Sequence, residues 1–336
     1  MLLGTQRNPN INEASQNHQT MKNLADYQIL VTGGNGAIGC NLVRKLLDLS
    51  AKVTVLDDFS QGKKKNLATK KNLMIIRGDI ASKKILSKVF SCHYDYVFHL
   101  AARFANELSV KDPLEDLRVN VQGTLQTLFH SAKNKVDRFL YTSSSSIYGP
   151  QNNNLCKENS IPHPSTPYAA SKLSAEHYCH AISELYDLDY TIVRLSNSYG
   201  PYDPPGRYRN VIPNFFQAAI QKKDLVITGT GKETRDFTYV DDCVNGIILA
   251  ATSKRAKNDT FNLGTGKETK MLNLAKLILQ RTKSRSNIVF KPRRSFDHIK
   301  NRKMDISKAK KLLGYTPSTD LQTGLQSTYD WFVSRK

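Results

Sequence analysis

The stretch that decides the fold is Thr32–Gly39, which reads TGGNGAIG. It places Gly33, Gly36 and Gly39 directly after an apolar, strand-like segment, Gln28–Thr32, and at the start of a helix-like one. Glycines at this spacing permit a tight turn, close approach of the backbone to a pyrophosphate, and close packing of helix on strand. The helix start presents free amides and a partial positive charge to the phosphates. The motif predicts a dinucleotide-binding turn, although a purely structural Gly-rich turn shares the pattern.

The segments that follow alternate between strand-like and helix-like patterns. Further strands are predicted at Lys52–Asp57, Leu73–Arg77, Tyr96–Leu100, Arg138–Thr142 and Asp189–Leu195, and the longest helical patterns at Ala37–Leu49, Pro113–Lys135 and Pro167–Tyr186. This alternation predicts an α/β protein with a doubly wound parallel sheet of the Rossmann type, covered by helices on both faces.

The pattern changes after residue 195, where Pro and Gly cluster at Gly200–Gly206. We expect residues 27–195 to form the NAD-binding Rossmann domain, with residues 239–253 returning to it. Residues 196–336 are expected to form a smaller α/β lobe that binds substrate. The Asn- and Gln-rich residues 1–26 are expected to be a disordered tail, since no basic start precedes an apolar stretch there.

Composition narrows the function classes. The chain has 49 basic and 29 acidic residues, a net charge of +20, which suits nucleic acid, an anionic surface or a phosphorylated substrate. The excess is dispersed and lacks the interleaved aromatic residues of a nucleic-acid platform, so nucleic acid is not the expected partner. No run of about 20 apolar residues indicates a membrane helix. Five scattered cysteines without metal-ligand spacing favour a reducing, cytoplasmic location and no metal.

Acidic residues after the second and third strands favour NAD. Asp57 follows Gly39 by 18 residues, where a carboxylate can accept hydrogen bonds from the adenosine ribose. No Arg adjoins it to hold a 2′-phosphate, so we expect NAD rather than NADP, with Lys63–Lys65 as a reservation. The alternative for Asp58 is that it caps the following turn. Asp79 could face the adenine amino group, or could cap the helix predicted to begin near Ser82.

Tyr168 and Lys172 are the predicted centre of the chemistry. They stand four residues apart on a predicted helix and so share one face. A tyrosine with a pKa of about 10 is a poor base near neutral pH. We expect the ammonium, together with an oxidised nicotinamide ring, to lower that pKa and produce a base for a hydroxyl proton.

A serine-rich loop, Tyr141–Gly149 (YTSSSSIYG), begins at the end of the fifth strand. Active sites of parallel sheets gather at the carboxyl ends of strands. A hydroxyl in this loop can hydrogen-bond an oxygen that alternates between alcohol and ketone. The loop lies 24 residues before Tyr168, and together with the glycine turn it makes a more specific signal than any single motif.

Taken together, these motifs resemble the extended short-chain dehydrogenase/reductase family, and within it the NAD-dependent sugar-nucleotide epimerases and dehydratases similar to UDP-glucose 4-epimerase. The resemblance covers residues 27–336 and rests on TGGNGAIG, VLDD, GDI, HLAA, SSSSIYG, YAASK, RLSNSYGP, TRDFTYVDD and DISKAKKLLGYTP. It implies Tyr168 as catalytic base, Lys172 as ribose ligand and modulator of the tyrosine pKa, and Ser144 as catalytic hydroxyl.

The resemblance also implies two binding sets. Cofactor contacts would come from Gly33, Gly36, Ala37, Ile38, Gly39, Asp57, Asp58, Asp79, Ile80, Leu100, Ala101, Ala102, Asn120, Tyr168 and Lys172. Substrate contacts would come from Ser145, Asn197, Val211, Arg235, Arg294 and Asp297, with the arginines on the diphosphate and Asp297 on the nucleotide ribose. Bidentate guanidinium groups suit a diphosphate independently of any resemblance. The alternatives are that Arg235 pairs with Asp236 or Asp241, and that Arg293 and Arg294 are surface charge.

The expected reaction is inferred from two positions that lack an acidic residue. Where the dehydratases of the family have an acid pair after the catalytic hydroxyl, and the UDP-glucuronate decarboxylases a Glu, this chain has Ser145 and Ser146. We therefore expect 4-epimerisation of a nucleotide sugar, most simply a UDP-sugar, through a transient 4-keto sugar. One alternative is a UDP-glucuronate decarboxylase, because Asn301–Lys310 resembles the decarboxylase branch, and the other is another 4-keto-forming nucleotide-sugar dehydratase or reductase. Asn301 or Arg302 occupies the region that gates N-acetylated sugars.

The resemblance implies a homodimer through a four-helix bundle formed by the Pro113–Lys135 and Pro167–Tyr186 helices. The competing class is a non-catalytic, basic Rossmann-fold protein that binds RNA or senses NAD. The intact Ser144, Tyr168 and Lys172 set argues against that class, because binding alone has no use for it.

Overall fold

A computed structural model describes residues 24–334, apart from 63–65, 69, 152–154, 209 and 298. In the described part, seven strands form one parallel sheet in the order β3-β2-β1-β4-β5-β7-β12. Their bounds are β1 Gln28–Thr32, β2 Lys52–Asp57, β3 Leu73–Arg77, β4 Tyr96–His99, β5 Arg138–Ser144, β7 Tyr190–Leu195 and β12 Asp259–Leu263. The order in which successive strands are added reverses between β1 and β4, which places the expected ligand crevice at the carboxyl ends of these two strands.

Helices cover both faces of this sheet. The α-helices of the described part are α1 Ala37–Asp48, α2 Lys83–Val89, α3 Asn106–Lys111, α4 Pro113–Leu117, α5 Thr124–Lys133, α6 Pro167–Tyr186, α7 Val211–Ile220, α8 Val240–Thr252, α9 Met271–Thr282, α10 Ser307–Leu313 and α11 Leu321–Val333. One core lies under α1 and α8 and continues into the C-terminal elements, and a second lies under α2, α5 and α6. Strands buried on both faces explain the nearly continuous apolar runs. The expected α/β class and doubly wound parallel sheet are confirmed.

Short strand pairs build the remainder. These are β6 Leu155–Cys156 with β15 Lys303–Met304, β8 Asn197–Tyr199 with β11 Phe237–Tyr239, β9 Leu225–Thr228 with β14 Ile288–Lys291, and β10 Thr234–Arg235 with β13 Thr269–Lys270. They pack with α7, α9 and α11 beside the carboxyl edge of the sheet.

Three local features differ from the expectations. The predicted Pro113–Lys135 helix contains a π-helical segment, Arg118–Gly123, between α4 and α5. Strand β12 forms one edge of the central sheet, and the sequence patterns did not predict this strand. Leu24, assigned to the tail, is buried in the core at 1% exposure, whereas Ala25 and Asp26 are exposed and residues 1–23 of that predicted tail lie outside the described residues.

No helix among the described segments has the length and apolar character needed to cross a membrane.

Candidate active site

The carboxyl ends of the parallel strands open into one cleft of about 1010 Å³. A volume of this size suits an extended ligand or two adjoining ones. The cleft is lined by every predicted site residue except Asn120: Gly33, Gly36, Ala37, Ile38, Gly39, Asp57, Asp58, Asp79, Ile80, Leu100, Ala101, Ala102, Ser144, Ser145, Tyr168, Lys172, Asn197, Val211, Arg235, Arg294 and Asp297. The structure thus brings residues from almost the whole chain to one surface.

The glycine turn is built for close backbone approach. Gly33 has φ +68°, and a Cβ there would lie 2.6 Å from the Ala101 amide nitrogen. A Cβ on Gly39 would lie 2.1 Å from the Gly33 carbonyl oxygen. Among the described residues, no side chain caps the start of helix α1. Gly36, Ala37 and Ile38, at this start, line the cleft, so the first amides of the helix are available to a ligand there. Free amides and partial positive charge there fit a pyrophosphate.

The carboxylates after β2 are held by backbone amides. Asp57 accepts hydrogen bonds from the amides of Asn35 and Phe59, each 2.8 Å long. Asp58 accepts from the Ser60 amide at 2.8 Å, so it does cap the following turn. Burial raises the pKa of Asp57, and the two amides that donate to it oppose that shift. Both side chains line the cleft within reach of a ribose.

Asp79 and Asn120 have protein partners of their own. Asp79 accepts from the Ala81 amide at 2.8 Å and pairs with Arg118 at 2.7 Å. The cap of α2 is Ser82, so the capping alternative for Asp79 is wrong. Asn120, which does not line the cleft, accepts from the Arg103 amide at 2.7 Å. This hydrogen bond holds the loop after β4 from the side that faces away from the cleft.

Tyr168 and Lys172 occupy the first turns of α6. The helix begins after Thr166, whose side chain accepts a hydrogen bond from the Ala169 amide at 3.3 Å, and Pro167 stands at its first position. The Lys172 ammonium donates to the Thr142 carbonyl oxygen at 2.9 Å and lies 6.0 Å from the Tyr168 ring centre. The expected pairing of phenol and ammonium on one helix face is what the geometry shows.

Burial controls the protonation of Tyr168. Desolvation raises the pKa of the phenol, a hydrogen bond with Ser144 lowers it, and the charge of Asp116 raises it. The expected lowering of this pKa by the Lys172 ammonium does not appear among these causes. A bound cofactor with a positive nicotinamide ring would add the charge that favours phenolate.

Ser144 is oriented by its own loop. It ends β5 and accepts a hydrogen bond from the Ser146 amide at 3.1 Å. Its hydroxyl also lies 3.1 Å from the Ser146 hydroxyl oxygen. Ser145 accepts from Arg302 at 3.2 Å. None of these groups is an acid at neutral pH.

Lys172 is a buried ammonium with a shifted pKa. Burial lowers the pKa of Lys172 to about 8, and the carboxylates of Asp116 and Glu176 oppose that shift. Asp116 is fully buried and accepts hydrogen bonds from Ser171 and from Asn120. Sequence patterns missed Asp116, because an acid within an amphipathic helix is ordinarily a solvated one.

A second buried pair lies one helical turn further along α6. Glu176 and Arg194 meet at 2.7 Å and 3.0 Å, and Arg194 also donates to the Tyr148 hydroxyl at 2.9 Å. Glu176 continues the four-residue spacing of Tyr168 and Lys172, and this spacing is the signal by which the sequence could have placed Glu176 on the same helix face. This pair ties α6 to β7.

The arginines gather at the far end of the cleft. Arg235 pairs with Asp297 at 3.4 Å and donates to the Ile299 carbonyl oxygen at 3.0 Å, so the proposed pairing with Asp236 or Asp241 is wrong. Asn197 donates to the Asp236 carbonyl oxygen at 3.1 Å.

Arg294, the second predicted diphosphate ligand, pairs with Glu107 at 3.4 Å across the cleft mouth. Arg302, also on the cleft wall, was singled out from the sequence only as one of two candidates for a gate.

Comparison with known proteins agrees with this architecture. Residues 29–264 match the model of the NAD dependent epimerase/dehydratase family. A putative UDP-glucose 4-epimerase of Methanocaldococcus jannaschii is 33% identical, over 90% of this chain and 97% of that protein. A UDP-N-acetyl-alpha-D-glucosaminuronate decarboxylase of Bacillus cytotoxicus is 34% identical, with the same coverage. The solved structure of an epimerase from Methanothermobacter thermautotrophicus matches with a TM-score of 0.93, 37% identity and 96% of each chain.

The expectation of NAD as the cofactor is confirmed by the family match. The glycine turn, the uncapped start of α1 and the two carboxylates after β2 fit that dinucleotide. The comparisons do not separate epimerases from decarboxylases, since the two curated relatives are equally similar to this chain.

Proposed function

This chain belongs to the NAD-dependent epimerase/dehydratase family, and from that premise we propose that it is a nucleotide-sugar 4-epimerase acting on a UDP-sugar. The coarser statement, an NAD-dependent enzyme of sugar nucleotides, is supported by the family and by relatives of both reaction types. The proposal adds the reaction, the residues that perform it and the assembly.

The observation that carries the proposal is the neutral loop after β5. Elimination of a hydroxyl needs an acid beside the sugar, and Ser145 and Ser146 occupy the positions where an acid would stand. Both hydroxyls are engaged, Ser145 with Arg302 and Ser146 with Ser144. A neutral loop leaves reversible oxidation at carbon 4 as the chemistry that the site supports best.

In this mechanism Tyr168 accepts the proton of the sugar 4-hydroxyl, and Ser144 hydrogen-bonds the same oxygen. Lys172 holds a positive charge behind the phenol, anchored on the Thr142 carbonyl. NAD, when bound, supplies the hydride acceptor and donor for carbon 4. Tyr168 then returns the proton after the 4-keto sugar has presented its other face, and the cleft of about 1010 Å³ leaves room for that turn.

The remaining site residues are assigned to binding. We assign Arg235 and Arg294 to the diphosphate, Asp297 to the nucleotide ribose, and Asn197 and Val211 to the cleft wall around them. In the structure Arg235 pairs with Asp297, and Arg294 pairs with Glu107. A diphosphate would exchange with these contacts, of which the Arg294–Glu107 pair is partly solvated and weak.

The surface supports a homodimer. The largest exposed apolar side chains on α4 and α6 include Leu114 at 77% and Leu185 at 74% exposure. Tyr178 and Leu185 stand seven residues apart on one face of α6. Apolar side chains of this size on two adjacent helices are typical of an interface, so we assign these faces to the contact between two copies.

The deciding experiment is a panel of UDP-, dTDP-, GDP- and CDP-sugars, with products read by NMR. Appearance of the C4 epimer without added NAD supports the proposal. A pentose product with loss of carbon dioxide would identify a decarboxylase instead. Salt-dependent RNA binding with no turnover of any sugar nucleotide would identify the non-catalytic class.

A further inference from the structure

Glu107 connects two arginines across the mouth of the cleft. One carboxylate oxygen, Oε2, accepts a hydrogen bond from Nη1 of Arg294 at 3.4 Å, and the other, Oε1, lies 3.7 Å from Nε of Arg207. Arg207 lies in the loop between β8 and α7, and Arg294 lies in the loop after β14. All three side chains line the cleft. One acid therefore joins two cleft-lining loops that are far apart in the sequence.

The backbone that carries Glu107 is held in place. Its neighbour Asn106 accepts a hydrogen bond from the Thr166 hydroxyl at 2.8 Å, and Thr166 caps α6. Ala105, directly before α3, has φ +105°, which residues with a Cβ rarely adopt. Backbone strain of this kind persists only where the surrounding structure imposes it, and it is concentrated at functional sites. The fold thus keeps the Glu107 carboxylate at the cleft mouth.

Both ion pairs of Glu107 are of the kind that a ligand can displace. Neither has the two parallel hydrogen bonds that make an arginine–carboxylate pair strong. The side chains of Glu107, Arg294 and Arg207 are 29%, 49% and 78% exposed, and solvated pairs of this type contribute little to stability. Within the described chain, Glu107 is the only carboxylate within 4.0 Å of either guanidinium group. Its loss would therefore free both arginines.

The arginines at this end of the cleft outnumber the acids that contact them. Asp297 is shared by Arg235 and Arg293, at 3.4 Å and 3.6 Å, as Glu107 is shared by the other two arginines. The four arginines thus retain two positive charges that their acids do not balance. A diphosphate that links a nucleoside to a sugar is a dianion at neutral pH. It matches this excess charge and offers the oxygen acceptors that guanidinium groups bind best.

We propose that Glu107 is an internal competitor for the diphosphate of the substrate: it occupies Arg207 and Arg294 in the empty cleft and is displaced when a sugar nucleotide binds. This inference rests on the proposed assignment of this end of the cleft to a diphosphate. Binding of substrate then includes the breaking of two ion pairs inside the protein. The resident carboxylate therefore lowers the affinity of the cleft for a diphosphate and closes the mouth until one arrives.

Binding of UDP to Glu107→Gln tests the inference. The amide has nearly the same size as the carboxylate and lacks the charge that holds the two guanidinium groups. Calorimetry on NAD-loaded enzyme should show UDP binding about 3- to 10-fold more tightly than in wild type, the range for release of two solvated ion pairs. A carboxylate that instead orients the arginines for the ligand would produce the opposite sign, weaker binding in the variant.

A double-variant cycle shows whether the effect acts through the arginines. In an Arg294→Met background one partner of Glu107 is already missing, so Glu107→Gln should tighten UDP binding by less than about twofold. Asp330→Asn, on the exposed side of α11 and outside the cleft, removes the same charge and is the matched control. It should change the affinity by less than about twofold, because distant exposed charges are screened. A melting temperature for each variant shows whether it is folded.

Three outcomes would overturn the inference. UDP binding in Glu107→Gln could be equal to or weaker than in wild type, or the whole gain could persist in the Arg294→Met background, which would identify a general charge effect. Failure of wild type and Glu107→Gln to bind any nucleoside diphosphate would leave Glu107 with nothing to compete against. If Glu107→Gln tightens UDP binding but NMR shows a product other than the C4 epimer, the reaction proposal fails and the role of Glu107 stands. The two failures are therefore distinguishable.

Discussion

Asp116 accepts a hydrogen bond from the hydroxyl of Ser171, the residue that precedes Lys172 in the catalytic helix. Both Asp116 and Lys172 are buried, and neither forms an ion pair with a described residue within 4.0 Å. The carboxylate, which lies on α4, thus stabilises the Lys172 ammonium electrostatically and without a direct ion pair. Its charge raises the pKa of both Lys172 and Tyr168.

The first prediction concerns pH. Lys172 has a pKa of about 8 and must stay protonated, so activity falls as pH rises through that value. Asp116→Asn removes a charge that raises the pKa of Lys172 and that of Tyr168. The alkaline limb of the pH profile of kcat/KM, which Lys172 sets, should therefore move to lower pH. Ser171→Ala keeps the carboxylate and should move that limb by no more than a few tenths of a pH unit. An unmoved profile in Asp116→Asn would contradict this account.

The second prediction separates two glycines of the dinucleotide turn. A Cβ on Gly39 would collide with the Gly33 carbonyl, whereas one on Gly36 would lie 3.3 Å from the same oxygen. Gly39→Ala should destabilise the fold by about 2 kcal/mol or more, the scale of overpacking in a filled site. Gly36→Ala should cost less than about 1 kcal/mol but reduce the NAD recovered from purified protein, since the new methyl faces the cleft. Urea unfolding and assay of acid-released NAD measure the two effects.

The third prediction concerns the buried pair of Glu176 and Arg194. Glu176→Gln leaves the guanidinium without its anion and should cost about 3–5 kcal/mol in the free energy of unfolding. Glu176→Gln with Arg194→Met removes both charges and should recover much of that loss. Urea unfolding of wild type, both single variants and the double variant completes the cycle. A loss below about 1 kcal/mol in Glu176→Gln would show that the pair is dispensable.

The fourth prediction concerns assembly. Leu185→Asp places a charge on the exposed apolar face of α6 and should convert a dimer into a monomer at micromolar concentration. Lys254→Asp, on the short helical turn Lys254–Ala256 away from α4 and α6, is the matched control and should leave the mass unchanged. Light scattering reads the mass of each. A monomeric wild type at all concentrations would remove the dimer proposal.

The sequence predicted the parts of this site that have strict local requirements. The glycine turn tolerates no Cβ at Gly33 or Gly39, and Tyr168 and Lys172 share a helix face by spacing alone. Such constraints lie within a few residues and are visible in a pattern.

The missed features depend on contacts between distant segments. Asp116 meets Ser171 across 55 positions, and Arg302 meets Ser145 across 157. An acid or an arginine in a polar stretch is ordinarily solvated, so nothing local marks these as buried. Strand β12 was missed for a related reason, since its partner β7 lies more than 60 positions away and sets its place at the sheet edge.

The last prediction tests the catalytic base. Tyr168 is 7% exposed, and its hydroxyl is held by Ser144, so Tyr168→Phe removes one oxygen and leaves the packing of the ring intact. Binding of UDP should stay within about threefold of wild type, because the diphosphate is assigned to Arg235 and Arg294 at the other end of the cleft. Turnover of the preferred sugar nucleotide should fall by at least about 10³-fold, within the range for loss of a positioned general base. Ser146→Ala, which removes a neighbouring hydroxyl from the same loop, serves as the control and should retain most activity. If Tyr168→Phe keeps more than about a tenth of the wild-type rate, a loss of under about 1.4 kcal/mol in transition-state stabilisation, the proton is taken by another group.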